Sequence, residues 1–280
     1  MAYVLLAVVC SVLVSVLLKL ARRHGIDVGQ AVAWNYVVAS VLTALLLEPS
    51  PELLRTPATP WLALAGLGVL LPTIFLVLAT SVRHAGIVRS DAAQRLSLLL
   101  SLLAAFVLFG ETFTTHKMIG IALGLLALLG MIWRPAGEPG EERAGWLYPL
   151  LVFAGFAAID ILLKQVARAG LPLGTSLQAM FALALLVAFA LQLARRIRFT
   201  LRSAAAGLLL GLLNFGNILF YLRGHRALPE HPSLVFASMN IGVVALGALV
   251  GLLVFRERLS RLNLAGVALA LLAIGVIAKG

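Results

Sequence analysis

The chain has 280 residues, of which 62% are hydrophobic and 12% charged, with a mean hydropathy of +1.06. A soluble domain holds about 45–50% apolar and about 25% charged residues, so soluble classes are excluded and an integral membrane protein is implied. The net charge of +11 would point to nucleic acid in a soluble protein, yet the basic residues fill short connections between apolar runs, as lipid headgroups and the positive-inside rule dictate.

A spanning helix needs about 20 mostly apolar residues. Ten such stretches follow in order, at 2–21, 28–47, 61–82, 90–109, 114–133, 146–167, 174–194, 202–222, 233–254 and 260–279. The first carries the only cysteine, Cys10, so no disulfide forms within one chain. It is expected to remain as a span, because MAYV lacks a basic start and Arg22-Arg23 stands where a signal-peptide cleavage site would be. Trp34, Asn35 and Tyr36 interrupt the second span, and Pro72 should kink the third. RPAGEPGEERAG (134–145) is the one linker-like stretch, dividing the chain into 1–134, a linker at 135–145, and 146–280. The runs are continuous rather than alternating, which excludes a transmembrane β-barrel.

The two halves repeat. LLKLARRHGIDVG (17–29) matches LLKQVARAGLPLG (162–174) at six of thirteen positions, among them Lys19/Lys164, Gly25/Gly170 and Gly29/Gly174. FGETFTTHKMIGIALGLLALL (109–129) matches FRERLSRLNLAGVALALLAIG (255–275), aligning Glu111 with Glu257 and Gly120 with Gly266. Two copies of five helices follow, and because five is odd the second copy is inverted, the plan of many secondary transporters. The fold class expected is therefore all-α integral membrane, ten transmembrane helices as two inverted five-helix repeats. Gly120/Gly124, Gly207/Gly211 and Gly247/Gly251 have the four-residue spacing that brings helices close. Connections opposite the termini hold thirteen Lys/Arg, counting Arg83 and Arg89, against six on the termini side, which places both termini outside the cytoplasm.

The ten-span layout and the stretches SLLLSLLAAFVLFGETFTTHKMIGIALGLLALLG and SMNIGVVALGALVGLLVFRERLSRLNLAGVALALLAIG resemble the EamA family of the drug/metabolite transporter superfamily. The resemblance implies an exporter of amino acids, drugs or other metabolites in the bacterial inner membrane. Relatives in the superfamily exchange sugar phosphates, nucleotide sugars or lipid-linked sugars. The fourth span departs from the family pattern: AAQRLSLLLSLL (92–103) has Gln94 and Arg95 and no proline.

Polar residues at membrane depth are costly and mark candidate sites. Arg95, with Gln94 and Ser97, could hold a carboxylate or phosphate in a bidentate grip, or pair with Asp91 one turn back. Asn214, Asn217 and Tyr221 form a stripe in the eighth span. With Asn35 in the second and Asn240 in the ninth, they could line the same cavity or bond helix to helix. Asp160 stands at i−4 from Lys164, where the two could pair. The inversion puts Lys19 beside Glu257 and Lys164 beside Glu111. These pairs suit alternating ionic latches, in which case exchanging the charges of Lys19 and Glu257 should restore activity. Snorkelling of the lysines and capping of the following helices by the glutamates are the structural alternatives.

Enzyme chemistry is not expected. His24, His84, His116, His225 and His231 fall between spans, with no metal-ligand spacing, no nucleophile motif and no nucleotide-binding signature. The function expected is secondary active transport of small polar metabolites such as amino acids or organic anions, by alternating access and without a cofactor. A lipid or polyprenyl-phosphate flippase of the same fold is the alternative. The partners are a small-molecule substrate and the lipid bilayer, not nucleic acid, and the chain is compatible with a monomer or a homodimer.

Overall fold

Backbone groups within a bilayer must be satisfied inside each segment, which selects helices for runs of this length. The computed structural model describes residues 1–57, 59–109, 114–132 and 146–279 and is all-α. Its helices are α1 (Ala2–Ala21), α2 (Val28–Leu46), α3 (Trp61–Ala85), α4 (Ile87–Leu96), α5 (Leu98–Phe109), α6 (Thr115–Ile132), α7 (Leu147–Arg168), α8 (Leu173–Ala194), α9 (Leu201–Ala227), α10 (Pro232–Leu253) and α11 (Arg261–Lys279). Eight of these, all but α4, α5 and α6, are individually long and apolar enough to cross a membrane. Glu111 and the linker at 135–145 lie outside the described residues.

The fourth predicted span is the one that differs. It begins earlier, at Ile87, and is divided at Ser97 into α4 and α5. Two local causes act. Gly86, at φ +91°, turns the chain from α3 into α4 in a single residue, a conformation that side-chain-bearing residues rarely adopt. At Ser97 the hydroxyl donates to the Gln94 carbonyl (2.7 Å), and Leu100 N–H closes a tight turn onto the Ser97 carbonyl (3.1 Å). Arg83 and His84 consequently belong to α3 and Arg89 to α4; His225 lies in α9, and His116 lies in α6, inside the fifth predicted span. Pro72 is buried inside a continuous α3.

The helix pairs are related by exchange of halves. α1 packs on α9 as α7 packs on α3, and α2 on α9 as α8 on α3. α1 meets α10 as α7 meets α4 and α5, while α2–α8, α4–α10 and α6–α11 join counterparts directly. Lipid is as apolar as leucine, so close backbone approach must do much of the holding. Gly207 and Gly211 provide it between α9 and α2: a Cβ at Gly207 would stand 2.6 Å from the Ala31 carbonyl oxygen, and one at Gly211 2.9 Å from that of Asn35. Leucines such as Leu62 (90% exposed) cover the outer surface that faces the bilayer.

Candidate functional site

α4 crosses the middle of the molecule with polar groups along one seam, and α1 answers with Ser11, Ser15 and Lys19 at four-residue intervals on one face. Three rungs join them. Arg95 Nη2 donates to Ser11 Oγ at 2.7 Å. Ser15 Oγ donates to Asp91 Oδ1 at 2.6 Å, and Asp91 is buried. At the far end Lys19 forms an ion pair with Glu257, which arrives from the connection between α10 and α11.

Glu257 does two things at once. Besides taking Lys19, its carboxylate accepts from the backbone N–H of Ile87 (2.7 Å) and Val88 (3.3 Å), the orphan donors at the start of α4. It therefore caps α4 rather than the helix that follows it in sequence. Lys19 also sits 4.6 Å from the centre of the Phe255 ring, a cation–π contact. Gly86 and Gly251 leave the room this carboxylate occupies: a Cβ at either would stand within 2.9 Å of Glu257 Oε2.

Two adjoining cavities open beside the seam, between the halves, and share Gln94, Phe156 and Asn217 on their walls. One, of about 200 Å³, is lined by Arg95, Ser97, Asp160, Tyr221 and Asn240. The other, of about 130 Å³, has Ser11, Ser15 and Asn214 among aromatic walls of Tyr36, Phe75 and Phe181. Arg95 faces both ways, bonded to α1 while its charge acts on Asp91, Asp160 and Tyr221. Its Nε is buried without a partner among the described residues, as are Asp91 Oδ2 and Tyr36 Oη. Unpaired buried polar atoms of this kind are uncommon, and two of the three belong to cavity-lining residues, Arg95 and Tyr36.

The residues singled out from the sequence fall into three groups. Gln94, Arg95, Ser97, Asn217, Tyr221, Asn240 and Asp160 share the larger cavity, and Asn214 lines the smaller. Asn35 is fully buried and touches this region through its Oδ1, which accepts from Asn214 Nδ2 at 3.1 Å. Lys19 and Glu257 form the pair described above, some way along α4 from the cavity. Asp160 accepts from Ser101 Oγ at 2.9 Å, and Lys164 is half-buried one turn further along α7. Sequence reasoning singled out Tyr36 but missed Phe75 and Phe181, and it missed Ser11 and Ser15, although their spacing to Lys19 was the signal.

A guanidinium and a carboxylate facing one space, flanked by amides, hydroxyls and a phenol, can hold a small anion or zwitterion by charge-assisted hydrogen bonds. Residues 1–133 match the EamA-like transporter family. An uncharacterized protein of Haemophilus influenzae is 44% identical over 276 residues, spanning 96% of this chain and 94% of its own. A crystal structure of another protein shares the fold, with a TM-score of 0.56 at 16% identity, covering 99% of this chain and 96% of that one.

Proposed function

The chain belongs to the EamA-like transporter family, and on that premise we propose that it is a secondary active transporter of small polar metabolites, amino acids or organic anions, working by alternating access. One observation carries the proposal: Arg95 and Asp160 stand on the wall of a single cavity between the two halves. Arg95 takes the carboxylate or phosphate of the substrate. Asp160 takes an ammonium where there is one. Gln94, Ser97, Asn217, Tyr221 and Asn240 supply neutral donors and acceptors around them. Asn35 and Asn214 hold α2 against α9 behind the cavity. The direction is export, as the family resemblance implies.

Lys19 and Glu257 act as a latch in this scheme, closed at one membrane face. Lys164 and Glu111 are the equivalent pair proposed for the other face. Inverted repeats supply two near-equivalent packings, and ion pairs that form in only one of them set which packing is favoured.

Ligand-induced thermal stabilisation of the purified protein tests the site. The screen covers amino acids, organic anions, sugar phosphates and polyprenyl phosphates, on wild type and on Arg95→Ala. A soluble amino acid or anion that stabilises wild type and not the variant is the expected result. Stabilisation by polyprenyl phosphates alone would replace metabolite transport with lipid flipping.

A further inference from the structure

A second basic region lies far along the chain from the cavity residues of α4. The connection between α8 and α9, RRIRFTLRS (195–203), packs against the one between α1 and α2, RRHGID (22–27). Together they hold six arginines and one acid, Asp27, whose carboxylate is already bonded to Gln30 N–H at 2.8 Å.

The platform is built rather than loose. Gln30 is 1% exposed and clamps the second connection from beneath. Its Nε2 donates to the Arg198 carbonyl at 2.9 Å, and its Oε1 accepts from Thr200 N–H at 3.0 Å. Asp27 N–H donates to Ser203 Oγ at 3.0 Å, and Arg202 Nη1 donates to the His24 carbonyl at 3.0 Å. The backbone is thus satisfied from inside. The side chains of Arg195, Arg196 and Arg198 are exposed and make no hydrogen bond or ion pair among the described residues.

Apolar side chains stand exposed beside these arginines: Leu193 at 66%, Phe199 at 44% and Leu201 at 87%. Phe199 is fixed by stacking on Phe189 at 5.9 Å, which in turn meets Trp34 edge-on at 5.8 Å. Free phosphate or a nucleic acid would leave those apolar groups in water. A phospholipid satisfies both kinds of group, because its phosphate sits directly above acyl chain at the level where spanning helices end.

We infer that this platform binds the headgroups of anionic phospholipids. Arg195, Arg196 and Arg198 engage phosphate oxygens, and Phe199 and Leu201 lie against the acyl chains. An arginine at an anionic surface strengthens association by roughly fivefold, so removing three weakens it on the order of a hundredfold.

The test is thermal unfolding of the detergent-purified full chain, titrated with phosphatidylglycerol, phosphatidylcholine or inorganic phosphate. Phosphatidylglycerol is expected to raise the midpoint where the other two do not. R195Q/R196Q/R198Q should need about a hundredfold more phosphatidylglycerol for the same shift. R195K/R196K/R198K should stay within a few-fold of wild type, since point charges still bind phosphate. R256Q/R258Q, which strips two exposed arginines from another connection, should respond like wild type. R198Q alone, with an expected shift of about fivefold, covers the case in which the triple glutamine variant does not fold. A wild-type response in the glutamine variants, an equal loss in R256Q/R258Q, or equal stabilisation by inorganic phosphate would each overturn the proposal. The outcome does not depend on what the cavity carries.

Discussion

Exchanging the charges of Lys19 and Glu257 should fail to rescue, for a reason that only the geometry supplies. K19E/E257K restores opposite charges across the same gap, so a pure ion pair would be re-formed. Glu257 also accepts from Ile87 and Val88 N–H, and a lysine there can accept from neither. Losing a capping acceptor costs about 1–2 kcal/mol, and setting an ammonium against a helix N-terminus costs about 0.5–1 kcal/mol more. The deficit left after re-pairing is about 1.5–3 kcal/mol, or about 10- to 150-fold in the equilibrium holding α4 in place. The assay compares thermal midpoints of wild type, K19E, E257K and the double variant, with transport in proteoliposomes beside them. The double variant should stay with E257K on both readouts. A return to the wild-type midpoint would show that Glu257 acts through Lys19 alone and that its bonds to α4 carry little.

Asp160→Asn separates the two substrate classes: a zwitterion should bind about tenfold or more weakly, while a simple anion should bind as well as before, both read by ligand-induced stabilisation. Equal weakening of both would mean that Asp160 shapes the cavity without touching substrate. Gly207→Val should lower the unfolding midpoint strongly, by about 1–3 kcal/mol or more, because the added Cβ meets Trp34 Cβ at 2.5 Å. Gly170→Ala meets nothing within 4 Å and should cost only the strain of φ +75°, about 1 kcal/mol. Gln30→Leu removes the clamp under Arg198 and Thr200. It should expose 195–200 to limited trypsin digestion well before the rest of the chain, and an unchanged cleavage pattern would show the connection is held by other contacts.

The long spans were legible because crossing a bilayer demands consecutive apolar residues, and that demand is written locally. The early start of the fourth span at Ile87 was not, since the carboxylate that caps α4 comes from a residue 170 positions away. The cavity amides and Arg95 stood out because polar groups at membrane depth are rare. Ser11 and Ser15 did not, because hydroxyls in spanning helices usually bond to their own backbone, as Thr80 does to the Leu76 carbonyl. Phe75 and Phe181 were invisible for the opposite reason: within an apolar run, nothing marks a ring that faces a cavity apart from one that faces lipid. Whether Arg95 would turn toward α1 or toward the cavity was undecidable from helical spacing, and the structure has it reach both.

α4 is ten residues long, about 15 Å from end to end. Its last turn carries the cavity arginine, and its first N–H groups are held by the carboxylate that also grips Lys19. A displacement at one end of so short a helix reaches the other as rigid-body motion, with no relay of intervening side chains to traverse. The tight turn at Ser97 sets the limit of that body, with α5 beyond it packed against α7. Under the proposed scheme, cargo recognition and barrier closure become two ends of one lever, and a substitution anywhere along its seam with α1 should change both together.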